Sequence, residues 1–323
     1  MYWNEKPYHS LDYDMKKRYG EKVYKIAIDA GMTCPNRDGK CGTGGCIFCS
    51  EGGSGDFAIS KAAHNNIDSI KSQLEKGKSL FHTKKTGNLF IAYFQSFTNT
   101  YAPVETLDTL YREALDEPDV TGISIATRPD CLEAPVIELL DSLNKEYRDK
   151  FIWIELGLQT IHEETALLIR RGYSLDVFEE AVANLKRIHI PVIVHVILGL
   201  PHETPQMMLE TCNYLNTMHI DGIKLQLLHV LKNTALAKLY EAKAFEVLDF
   251  EEYINIVIDC LEILSEDIVI HRVTGDGPRS LLIAPLWSLD KRRVLNTLHQ
   301  QMKVRKTYQS IKFDSGTERR DTK

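Results

Sequence analysis

Four of the seven cysteines in this 323-residue chain fall within sixteen residues, in the run Cys34-Pro-Asn-Arg-Asp-Gly-Lys-Cys41-Gly-Thr-Gly-Gly-Cys46-Ile-Phe-Cys49. Thiols held this close on pliant backbone either ligate a metal or cluster, or pair as disulfides. One C-x-x-C is present, Cys46 with Cys49, where the usual zinc ribbon needs two. Three well-placed cysteines suit an iron–sulfur cluster with one iron left open to a non-protein ligand. The later cysteines, Cys131, Cys212 and Cys260, stand alone and read as small buried hydrophobes.

Such a loop needs a scaffold, and 43% hydrophobic residues over this length provide a large core. No apolar run approaches 18 residues, and the first residues lack a charged-then-apolar leader pattern, so a soluble, cytoplasmic protein is expected, with no membrane partner. Reduced thiols in that compartment favour a metal site over disulfides. The formal charge is −6, but residues 291–323 hold ten Lys/Arg against three Asp/Glu, leaving −13 for residues 1–290. A basic end of this kind is either a phosphate-contacting surface or a solvated tail.

Apolar runs at 23–28, 88–94, 122–126, 151–158, 191–198 and 222–228 read as buried parallel strands. Helical spacing recurs between them at 104–115, 135–145, 175–188 and 204–218, the last opened by Thr204 as N-cap and Pro205 at the first helical position. Residues 267–272 add a strand or close an edge. Alternating β and α imply a parallel sheet, open or barrel-shaped. The glycines after the first strand belong to the cysteine loop and do not spell G-x-G-x-x-G, so a dinucleotide-binding fold is not indicated. The expected architecture is α/β: a partial (β/α)6 TIM-type barrel over residues 23–290, an N-terminal extension at 1–22, and a basic C-terminal helix and tail at 291–323. Chemistry in such folds collects at the C-terminal ends of strands.

A cysteine loop after the first strand, with Phe48 before the last cysteine, resembles the radical S-adenosylmethionine superfamily. Its spacing here is C-x11-C-x2-C over Cys34, Cys46 and Cys49, against the commoner C-x3-C-x2-C. Thr127-Arg-Pro-Asp130, Glu155-Leu-Gly-Leu-Gln-Thr160, Arg170-Arg-Gly-Tyr173 and His195-Val-Ile-Leu-Gly-Leu-Pro201 are similar to segments of the Elongator catalytic-subunit branch. Cys34-Pro-Asn-Arg-Asp-Gly39 and Tyr93-Phe-Gln-Ser-Phe-Thr-Asn-Thr-Tyr101 narrow the resemblance to the YhcC/YtqA-like group.

The resemblance implies Cys34, Cys46 and Cys49 as ligands of a 4Fe–4S cluster whose open iron takes the methionine end of S-adenosylmethionine. It leaves Cys41 as either a bystander or a fourth ligand. Gly42, Gly44 and Gly45 are expected to let the loop close round the cluster and turn N–H groups to its sulfurs. By the same likeness, Gln95 and Ser96 meet the methionine end, Gln159 the ribose, Arg171 the methionine carboxylate and His195 the adenosine. Arg128, His229, Lys232 and Arg272 fall at strand ends, either as a cationic rim for an anionic substrate or as ion-pair partners of Asp130, Glu155 or Asp276. The implied substrate is a tRNA wobble uridine, its carboxymethylaminomethyl group converted to aminomethyl, with a reductant such as flavodoxin or ferredoxin. A small carboxylate metabolite or porphyrin precursor is the alternative substrate. A non-catalytic, zinc-binding, RNA-associated scaffold is the reading from another class.

Overall fold

The computed structural model describes residues 3–53, 55, 58, 68–81, 87–275 and 277–313. The apolar runs form strands β1 (Val23–Ile28), β2 (Leu89–Phe94), β3 (Val120–Thr127), β4 (Phe151–Gln159), β5 (Val192–Leu198) and β6 (Gly222–Leu227). All pair in parallel and in chain order, and β6 then pairs with a further parallel strand, β8 (Val269–Arg272). Run 267–272 therefore supplies a seventh strand. A short antiparallel pair, β7 (Val230–Leu231) with β9 (Leu282–Ala284), lies apart from this sheet. Strand order never reverses, so the sheet has no switch point of the doubly wound kind; it curls into a half-barrel with β1 and β8 as its open edges.

Helices α1 (Leu11–Tyr19), α2 (Ile70–Ser79), α3 (Val104–Leu115), α4 (Ala134–Glu146), α5 (Glu163–Leu168), α6 (Leu175–Arg187), α7 (Pro205–Thr217), α8 (Ala235–Glu241), α9 (Phe250–Ile263) and α10 (Lys291–Arg305) complete the fold. Thr204 caps α7 by accepting from the Met207 N–H at 3.3 Å, with Pro205 at the first turn. Asp249 and Glu252 form a capping box on α9. On α3, Leu107, Tyr111, Ala114 and Leu115 are fully buried, and a large apolar side chain buried this way contributes roughly 1.5–3 kcal/mol. The main core includes Leu140, Phe178, Leu185, Leu215, Tyr253 and Leu261 together with β-strand residues such as Ile123, Ile154 and Val194. Another set of side chains, described below, is polar and occupies the hollow of the curl.

The terminal regions pack on this body. The His9 carbonyl accepts from Ile270 N–H at 2.7 Å, covering part of edge strand β8, and Gln309 donates from its backbone N–H to Pro7 O at 2.8 Å. Helix α10 buries Val294, Leu298 and Met302 in the core and leaves Lys291, Arg292 and Arg293 exposed. The end of the basic segment, 314–323, and Asp276 lie outside the described residues. Cys131, Cys212 and Cys260 are buried. Among the described residues, no helix is long and apolar enough to cross a membrane.

Candidate active site

The cysteine loop leaves β1 and is pinned from inside by Asn36 and Arg37. Asn36 donates from its amide to Arg170 O at 2.6 Å and lies 3.5 Å from Cys46 Sγ. Arg37 donates to Ser50 O and stacks over Phe97 at 5.4 Å. The glycines make room for these two residues. A Cβ on Gly42 would come 2.6 Å from Asn36 Oδ1, and one on Gly45, at φ +79°, 2.9 Å from Arg37 Nε. The Gly45 N–H bonds Asn36 O at 2.8 Å. Close approach of side chains is thus what Gly42 and Gly45 permit. Ile47 anchors the loop in a separate apolar cluster, donating to Ile169 O and accepting from Leu236 N–H.

Cys34, Cys46 and Cys49 line one cavity at the C-terminal ends of the strands, together with Gln95, Arg128, Gln159, Arg171 and His195. Cys41 does not line it; its exposed sulfur lies 3.8 Å from Asp130 Oδ2. Gln159 sits at φ +66°, where the pairing of β4 with β5 shifts register. A side chain on Gly157 would collide with the Gln159 amide, and Tyr173 OH bonds both Gly157 O and Gln159 Oε1. Left-handed backbone on a non-glycine residue at a bulge is a strained feature concentrated at functional sites.

Several expected site residues, among them Arg171 and Arg128 of this cavity, are engaged within the chain or lie elsewhere. Arg171 is 1% exposed and engages four of its five N–H groups with Tyr173 O, Leu158 O, Thr160 O and Glu163 Oε1. Its guanidinium bolts the end of β4 to α5, since carbonyls at a strand end need donors. Arg128 is bidentate to Asp130 at 2.9 and 2.7 Å, so the ion-pair alternative holds for it. Ser96 is buried beneath Gly55 and is not among the residues lining the cavity. Lys232 is exposed, donates to Ser280 O at 2.9 Å, and lines neither this cavity nor the one beside it. His229 and Arg272 line an adjoining cavity that shares Cys49, Gln95, Gln159 and His195 with the first.

In the hollow lies a buried polar network whose lysines, Lys25 and Lys224, the sequence reading did not single out. Glu155, mid-strand on β4 and 1% exposed, accepts from Lys25 at 2.7 Å, Ser124 at 2.7 Å, His195 at 2.8 Å and Lys224. Lys224 also donates to Tyr93 OH at 3.1 Å. Burial opposes the Glu155 charge, but Lys224, Lys25 and His195 prevail and hold its carboxyl well below the usual range. Burial, with the charges of Lys25 and Arg272, lowers Lys224 to about 7 despite the opposing pull of Glu155. Burial and the Lys224 charge lower His195 to about 4, so the ring is neutral near pH 7. A signal was available in the sequence: Lys25, Glu155 and Lys224 are each a lone charge inside an apolar strand.

Residues 38–215 match the Radical SAM superfamily and residues 220–304 the Radical_SAM C-terminal domain. YtqA of Bacillus subtilis (strain 168) is 45% identical over 309 residues, which cover 96% of this chain and 94% of that one. The chain belongs to the radical SAM superfamily. A solved structure, the archaeal Methanocaldococcus infernus Elp3 lacking residues 1–46, shares the fold at a TM-score of 0.64 and 16% identity, over 89% of this chain and 64% of its own. The tRNA uridine(34) acetyltransferase of Methanocaldococcus infernus is 22% identical over 308 residues, 83% of this chain and 55% of that one. The present chain therefore spans about half of that acetyltransferase.

The cofactors of a radical SAM protein are a 4Fe–4S cluster and S-adenosylmethionine. The donor set here fits a cluster. Cys46 is half-buried with the Cys49 sulfur beside it, and that neighbour and partial desolvation together push its thiol well above the usual range. Two adjacent thiols of this kind ionise when cationic metal sits with them. Among the described residues no three His, Cys, Asp or Glu groups converge as for a single ion, whereas a cube spreads its thiolates over several irons.

Proposed function

We propose that this radical SAM protein modifies the 5-side chain of a tRNA wobble uridine, taking the carboxymethylaminomethyl form to the aminomethyl form. One observation supports a polyanionic substrate above the rest. Lys291, which opens the basic helix α10, lines the same lateral opening of the half-barrel as Lys25, Lys224 and Arg272. Its neighbours Arg292 and Arg293 are exposed on that helix. RNA phosphates laid on this face would bring a flipped base to the open side of the sheet. The likeness to proteins named for uridine 34 of tRNA supports the same reading.

Cys34, Cys46 and Cys49 would hold the cluster, with Gln95, Gln159 and His195 against S-adenosylmethionine. When bound, these cofactors supply a carbon-centred radical able to take a hydrogen atom from an unactivated carbon. The chain's own part is to exclude water and orient the substrate: β2 to β5 wall the cavity, and neutral His195, fixed between Glu155 and Gln226, neither gains nor loses a proton near pH 7. With Arg128 tied to Asp130, His229 and Arg272 are the expected rim residues left facing the cavities. Flavodoxin or ferredoxin is the proposed electron donor. The test is a nucleoside mass profile of tRNA from a deletion strain. The carboxymethylaminomethyl nucleoside should accumulate, and the wild-type gene should reverse this while Cys46→Ala does not. An unchanged profile, in cells that make the modification, removes the reading.

A further inference from the structure

The open edges of the sheet enclose a cavity of about 900 Å³ whose charged lining residues are all cationic: Lys25 from β1, Lys224 from β6, Arg272 from β8, and Arg279 and Lys291 at the rim. Among the described residues no Asp or Glu lines it. Beneath the floor, Glu155 is shared by Lys25 and Lys224, so two ammonium groups stand against one carboxylate. Tyr93 and Gln95 line both this cavity and the one holding Cys34, Cys46 and Cys49. The two cavities therefore adjoin across Tyr93 and Gln95.

We infer that this lateral cavity is a carboxylate-binding site, in which Lys25, Lys224 and Arg272 receive the anionic end of the substrate's reacting side chain. Buried ammonium groups are costly unless paired, and Glu155 alone leaves Lys25 and Lys224 one negative charge short. An incoming carboxylate completes the pairing and has the bidentate geometry that ammonium and guanidinium donors meet well. Burial and the Arg272 charge lower both lysines, and Lys25 lowers Lys224 further, against the pull of Glu155. The inference rests on the proposed function only in that the substrate bears a carboxylate, and it assigns that group to residues of three different strands.

The test is calorimetric titration of the full chain, with its cluster reconstituted, using two pairs of probes. N-benzylglycine and N-benzylglycinamide share a ring and a glycine-like arm but differ in the carboxylate. The second pair is an anticodon stem-loop carrying carboxymethylaminomethyl-uridine or aminomethyl-uridine at the wobble position. The carboxylate member of at least one pair should bind about tenfold more tightly. Lys25→Gln and Lys224→Gln should each reduce that preference to about twofold or less; each leaves Glu155 with one lysine, and Arg272→Gln serves where either fails to fold. Discrimination in the benzyl pair without any stem-loop binding upholds the site and removes the wobble-uridine reading. Discrimination in neither pair, or a preference that survives every folded variant, overturns the inference.

Discussion

Lys224→Met should change how the stability of this protein depends on pH. The lysine is 3% exposed and sits near 7 in the folded chain, against 10.5 when unfolded. Between those values the unfolded chain binds one proton more than the folded chain, so this group makes stability rise with pH. Below the folded value the ammonium is present in both states and the whole burial penalty remains. Each pH unit inside the window corresponds to about 1.4 kcal/mol, so from about pH 7.5 to about pH 9.0 the wild type should gain roughly 2 kcal/mol that the variant lacks. Methionine keeps the length and burial of the side chain. Glu155 retains Lys25, Ser124 and His195 as partners. Removing the Lys224 charge also releases His195 upward, but its ordinary value of 6.5 lies below the window. The assay is anaerobic urea unfolding of both proteins at the two pH values and constant salt, comparing their difference in free energy. A difference that stays constant within about 0.5 kcal/mol would show that Lys224 titrates like an exposed lysine and would refute the burial argument.

Glu155→Gln should be worse tolerated than loss of either lysine, because it takes the buried carboxylate from Lys25, Lys224 and His195 at once; a cost of about 1–3 kcal/mol is expected in urea unfolding near neutral pH, where Lys224 can shed its proton. Cys41→Ala should keep about four irons per chain and a brown absorbance after anaerobic reconstitution, whereas Cys46→Ala should lose both, since Cys41 lies outside the cavity that Cys46 lines. Gly53→Ala places a methyl group in the ring of Phe97 at left-handed φ and should cost about 1–3 kcal/mol by denaturant titration.

The alternation of apolar runs and amphipathic helices carried the parallel sheet, and several boundaries agree to within a residue: 151–158 against Phe151–Gln159, 104–115 against Val104–Leu115. That legibility is local in origin, since strand and helix periods are written in neighbouring side chains. The three cysteines singled out by spacing do line one cavity, since a short loop keeps near neighbours together. What the sequence could not settle is which charges meet. Arg128 and Arg171 look alike in the chain, yet one closes on Asp130 and the other on the carbonyls ending β4. Lys25 and Lys224 stand 199 positions apart, read from their numbers, and both end on Glu155. Only the curl of the sheet, which carries its first and sixth strands round to face the fourth, makes that contact. A lone charge in an apolar strand announces a buried partner, but long-range pairing follows from the cumulative twist of the strands and from the curl that closes them toward a barrel, neither of which any single segment encodes.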